Sequence, residues 1–173
     1  MSNRGFTLIE TLVAVLLLTA AIAGPLSIAA RGLLGASVAR DQVTAFYLAQ
    51  DAMEYIHYVR DSNTLSDNPW LSGLDSCLGA NGCAVDSIQN TAVICDSPCQ
   101  VLGYNTTYRY FSYSSPMTPQ QYRRVISITT PVGTNDCTTG HGCEAAVTVT
   151  VSWSDRGSIT RSITVKENLF DWQ

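Results

Sequence analysis

The chain has 173 residues, room for one domain and an appendage, and its formal net charge of −4 leaves no basic footprint for nucleic acid. Charged residues make up only 14% and hydrophobic residues 46%. No P-loop, G-x-S-x-G elbow or H-E-x-x-H motif occurs, so no common enzyme signature stands out. The apolar content begins at once. From Met1 to Ala30 the only charged side chains are Arg4 and Glu10, and Thr11 to Ala30 carries no charge over twenty residues. As a helix that stretch is about 30 Å long, enough to cross a bilayer core.

Glu10 is the anomaly in this segment. A carboxylate at the centre of a bilayer costs roughly 3 kcal/mol, so it requires a partner or a purpose. Two plain readings leave it without one. The first is a secretory signal peptide, with Arg4 in the n-region and Ala21-Ile22-Ala23 as an A-x-A cut that would start the mature chain at Gly24. The second is a simple anchor, whose orientation is not set by charge because Arg4 lies on one flank and Arg31 and Arg40 on the other.

The stretch "RGFTLIE", Arg4 to Glu10, resembles the N-terminal motif of type IV pilin-like proteins, the pilins and pseudopilins. The resemblance implies a leader of residues 1–5, cleaved between Gly5 and Phe6 by a prepilin peptidase, with N-methylation of Phe6. Cleavage creates a cationic amine on Phe6, and the family's glutamate, here Glu10, is implied to pair with the amine of a neighbouring subunit. In a low-dielectric setting such a pair attracts far more strongly than in water, so pairing across subunits favours assembly in one register. No cofactor and no catalysis are implied. The implied partners are other pilin or pseudopilin subunits, the peptidase, an inner-membrane assembly platform, and membrane lipid before assembly.

Gly24-Pro25 interrupts the apolar run, and the proline predicts a kink or local melting. From Leu26 to about Asp61 the pattern is amphipathic: Phe46, Ala49, Met53, Ile56 and Arg60 follow steps of three and four, with Val38 and Val43 upstream. "YLAQDAMEYIHYVRDSN" also resembles the stem of the minor pilins and minor pseudopilins grouped with PilV and GspI. His57, between Ile56 and Tyr58, is expected on the surface or half-buried rather than as a ligand.

"DSNTLSDNPW" is rich in turn formers and is expected to end the helix. Its Asp61, Asn63, Asp67 and Asn68 offer oxygens to calcium, but the spacing lacks the glycine and the terminal glutamate of an EF-hand loop, so a solvated turn is preferred. Residues 71–100 read as an irregular connection pinned by cysteines. Strand patterns follow at Val101–Tyr113, Tyr122–Thr130, Glu144–Trp153 and Ser158–Glu167. In the third, Val147, Val149, Val151 and Trp153 alternate with Thr148, Thr150 and Ser152 at a period of two. Ser154 to Gly157 is expected as the hairpin turn between the last two strands.

Six cysteines, Cys77, Cys83, Cys95, Cys99, Cys137 and Cys143, lie beyond the apolar segment, and an even count there fits an oxidising compartment. Fifteen connectivities are open. The sequence-local one, Cys77–Cys83, Cys95–Cys99 and Cys137–Cys143, is the expectation. A zinc reading of Cys137, His141 and Cys143, with Asp136 as a fourth ligand, is weaker than a small disulfide loop, and no metal is expected. Tyr104, Thr106, Tyr108 and Tyr110 would share one face of a strand, a core or subunit contact more readily than a stacking platform for bases or sugars. "NTT" at Asn105 matches a glycosylation acceptor, a pattern frequent by chance.

The expected architecture is α+β: a long N-terminal helix packed on an antiparallel sheet of about four strands with disulfide-pinned loops. The expected divisions are a leader (1–5), a hydrophobic transmembrane or filament-core helix (6–30), an amphipathic half of the stem (31–62) and a β-rich extracytoplasmic head (63–173). The expected location is the cytoplasmic membrane, single-pass with the head outside, and then a cell-surface or periplasmic filament. The leading function is a structural subunit, a minor pilin or pseudopilin of a pilus, secretion or DNA-uptake machine. The alternatives are a filament-tip adhesin or ligand-binding pilin, and a tethered ectodomain that never polymerises.

Overall fold

The computed structural model describes residues 5, 7–96, 98–114, 117–130, 143–154 and 159–171, the Pro119 side chain excepted. One helix, α1 (Leu8–Leu65), precedes a short 3-10 turn (Asp75–Cys77) and seven strands: β1 (Cys83–Asp86), β2 (Thr91–Ile94), β3 (Val101–Asn105), β4 (Tyr110–Ser112), β5 (Thr118–Thr129), β6 (Glu144–Ser154) and β7 (Thr160–Phe170). The chain divides into two compact units, Met1–Asp41 and Gln42–Gln173.

In the first unit every described side chain from Thr7 to Ala36 is exposed. The helical assignment runs unbroken through Pro25, so the local melting expected at Gly24-Pro25 is not found. Proline leaves one helical hydrogen bond unmade, a defect that the flanking turns span without ending the helix. Thr11 and Thr19 donate their hydroxyls to the carbonyls of Leu8 and Leu16, at 2.8 and 3.0 Å, which satisfies these groups within the helix itself.

The second unit carries the core. Ala45, Leu48, Ala49, Ala52, Met53, Tyr55 and Ile56 of α1 are buried. They pack with Val85 of β1, Leu102 of β3, Ile126 and Ile128 of β5, and Val147, Val149 and Val151 of β6. Each such side chain, fully buried, contributes roughly 1.5–3 kcal/mol of hydrophobic stabilisation. Ala49, Met53 and Ile56 of the stripe read in the sequence are buried, but Phe46 and Val43 are 49% and 54% exposed, and Ala45 and Ala52 take inward positions.

All strand pairings are antiparallel. β5 is the central strand: β6 pairs along one edge, while β1 and β3 share the other. β7 pairs with β6, β2 with β1 and β4 with β3. The sheet therefore has seven strands rather than about four. Two differences account for this. Residues 71–100 are not an irregular connection but hold the 3-10 turn and the β1–β2 hairpin. Val101–Tyr113 is not one strand but the β3–β4 hairpin, because the Asn105 side chain accepts from the amides of Thr107 and Tyr108 and turns the chain, with Arg109 at φ 58°. Tyr104, Thr106, Tyr108 and Tyr110 therefore do not share a strand face. The helix also runs to Leu65, past Asp61.

β6 is as the alternation predicts. Ala145, Val147, Val149, Val151 and Trp153 are buried, and the residues between them are not. β1 differs: all four of its residues are buried, two faces at once. Its outward residue Ala84 lies under a small second cluster with Cys95 and Cys99, against which Tyr113 and Val125 pack.

Candidate functional site

The segment singled out by the sequence begins at Gly5. A Cβ placed there would meet no atom within 4 Å among the described residues. Phe6 lies outside the described residues. Thr7 stands just before the first helical residue, and its Oγ1 accepts from the Glu10 amide at 3.4 Å. Thr7 and Glu10 thus have the T-x-x-E spacing of a capping box, a signal legible in the sequence and missed in the reading above. Glu10 also sits in the first helical turn, where the positive end of the helix dipole favours a carboxylate. It is exposed, next to Leu8, Ile9, Leu12 and Val13, all 50–78% exposed. The arrangement presents one carboxylate on an otherwise apolar rod.

α1 contains a window of mean hydropathy 2.3, none of it buried, so it is long and apolar enough to cross a membrane. With the motif before it, a helix this apolar and this uncovered suits a membrane anchor.

Within the second unit a polar network ties α1 to the sheet. Arg124 of β5, only 2% exposed, donates through Nη1 to the Leu48 carbonyl at 2.7 Å and to Asp51 Oδ2 at 2.6 Å, and through Nη2 to the Val85 carbonyl at 2.6 Å. Ser87 donates to the other Asp51 oxygen at 2.8 Å. Asp86, at the end of β1, accepts from the amides of Ile88 and Gln89 in the hairpin turn, and from Ser112 Oγ and the Tyr113 amide beside β4. The Tyr113 hydroxyl and Arg124 Nε are buried without a hydrogen-bond partner among the described residues. Burial pushes the Tyr113 hydroxyl pKa up, with the Arg124 guanidinium pulling the other way and Asp86 and Asp51 adding to the rise.

Two adjoining clefts open beside α1. One, of about 380 Å³, is lined by Asp51, Glu54, Tyr55, Tyr58, Ser87 and Asn90. The other, of about 390 Å³, lies between Tyr47 and Leu48 on one side and Ile88, Tyr110 and Phe111 on the other. Burial raises the Tyr55 hydroxyl pKa, with Tyr58 and Asp86 adding to it. Among the described residues no group of three His, Cys, Asp or Glu side chains converges for a metal ion. Asn63, one of the oxygens offered to calcium in the sequence reading, has its amide nitrogen bound to the Trp70 and Ser72 carbonyls. His57 meets Glu167 at 3.1 Å across the helix–sheet boundary.

Cys77–Cys83 and Cys95–Cys99 are disulfides, as expected. Arg123 donates to the Cys99 carbonyl and holds the second loop to β5. Cys143 is buried; its expected partner Cys137 lies outside the described residues, as do Asp136, His141 and residues 155–157 of the expected hairpin turn.

Residues 1–24 match the family model described as the prokaryotic N-terminal methylation motif. No curated protein and no solved structure matches the chain. The match covers Gly5, Thr7 and Glu10 and the start of the exposed apolar helix, so the N-terminal segment is that of a type IV pilin-like prepilin.

Proposed function

We propose that the protein is a structural subunit, a minor pilin or pseudopilin, of a type IV pilus or a related secretion or DNA-uptake filament. The observation that carries this reading is a methylation-type leader joined to an apolar helix whose every described side chain from Thr7 to Ala36 is exposed. The precursor waits in the membrane through that helix, with the head outside. Cleavage between Gly5 and Phe6 frees the Phe6 amine, methylation keeps its positive charge, and Glu10 of an adjacent subunit accepts it. Once the stem is buried among other stems, an unpaired Glu10 is expensive, so the ion pair selects the register. No step calls for catalysis by this chain. Glu10→Ala is the test: it should abolish incorporation into filaments while leaving cleavage and the fold of residues 42–171 intact. Normal incorporation of that variant would refute the assembly role.

A second reading, a subunit that also grips a ligand, draws support from the clefts beside α1, where Tyr47 and Tyr58 are 65% and 58% exposed near Asp51 and Glu54. Tyrosine faces beside carboxylates suit sugars and organic cations and disfavour phosphate backbones. Loss of glycan or amine binding by Tyr47→Ala and Tyr58→Ala, with filament assembly retained, would support it.

A further inference from the structure

β7 is the last strand on its side of the sheet; it carries the charges Arg161, Lys166 and Glu167, but neither a proline nor a bulge blunts its edge. Its pairing with β6 runs without a bulge from Thr160 to Phe170, and no proline interrupts it. Among the described residues it pairs with β6 alone. Ile163, Val165 and Leu169 face the core, while Ser162, Thr164 and Lys166 are exposed on the opposite face. Eleven residues of straight edge thus present backbone donors and acceptors to a further strand.

We infer that the occupant is the β7 strand of a second copy, paired antiparallel about a two-fold axis at Thr164. The strand is self-complementary in that one register. Thr164 then lies opposite itself, Ile163 opposite the partner's Val165, and Arg161 opposite the partner's Glu167. Opposite residues in an antiparallel pair share a face, so this register joins core face to core face. A slip by one residue would place Arg161 opposite Lys166 and bring unlike faces together. A slip by two would leave Arg161 opposite Val165 or Leu169. Among the registers that join core face to core face within Thr160–Phe170, only this one gives two opposite-charge pairs, related by the two-fold axis as in any isologous contact. Glu167 also meets His57 of its own chain, and Arg161 has an interaction of its own, so the cross-strand pairs extend existing networks. The contact is independent of the stem and does not depend on the filament reading.

Full-length protein in detergent micelles provides the test, with sedimentation at tens of micromolar reading the dimer fraction. Arg161→Glu alone and Glu167→Arg alone each set like charges opposite one another twice per dimer, and each should weaken association about tenfold or more. An equal mixture of the two variants restores both opposite-charge pairs and should recover the dimer. A Thr164→Cys variant should form a disulfide between the two introduced thiols, identified by mass spectrometry, and it decides the matter if either charge variant misfolds. A monomeric wild type, single variants that dimerise like the wild type, a mixture that fails to recover, or no link at position 164 would each overturn the proposal.

Discussion

Arg124 shows how one residue joins the parts of the head. Its guanidinium reaches the helix at Leu48 and Asp51 and β1 at Val85, and a buried cation with fewer partners would be costly. Arg124→Ala should cost about 3 kcal/mol in chemical denaturation, and Asp51→Ala less, since the Asp51 side chain is 43% exposed and two carbonyls would remain on the arginine. Tyr113 gives a pH signature. Its folded-state pKa is raised, so its share of stability is complete below the ordinary tyrosine value of 10.0 and is lost as pH climbs through the folded value. Tyr113→Phe should therefore soften the alkaline fall in stability, read by chemical denaturation across pH. Gly82 sits at φ +69°, and an added Cβ would lie 2.5 Å from the Ile126 carbonyl oxygen. Gly82→Ala should destabilise by about 1–3 kcal/mol, seen as a lower denaturation midpoint with an unchanged slope.

At the scale of elements, legibility followed burial pattern. β6 was readable because one face is buried and the other is not, so valine and threonine alternate. β1 was not, because Cys83 to Asp86 is buried on both faces and spells no alternation. The β3–β4 turn hides in a run of tyrosines that reads as strand, and only the Asn105 side chain betrays it. The helix was plain in type, and Ala49, Met53 and Ile56 of its buried face were read correctly; Ala45 and Ala52, which carry little hydropathic signal, were missed although both are fully buried. The N-terminal methylation motif was legible in "RGFTLIE", while the Thr7 cap beside it was overlooked. The disulfides act on the least regular part of the chain. Each closes a short loop, for which loop entropy predicts about 2 kcal/mol. A Cys77→Ala, Cys83→Ala double variant should lower stability by roughly that amount and loosen the β1–β2 hairpin, seen as faster amide exchange at Val85 and Ala92.

The whole molecule divides its work between two kinds of surface. Residues 42–171 bury a core of their own, built from a helix, a sheet and, among the described residues, two disulfides. Residues 7–36 bury nothing of their own and gain only from lipid or from other helices. In the function proposed, cutting the leader switches the stem between those two environments, since it creates the Phe6 amine that pairs with Glu10. The central claim is thus a claim about a covalent event, and intact mass tests it most directly. Protein recovered from membranes containing a prepilin peptidase should begin at a methylated Phe6. A chain beginning at Gly24, or an uncut chain starting at Met1, would contradict the account.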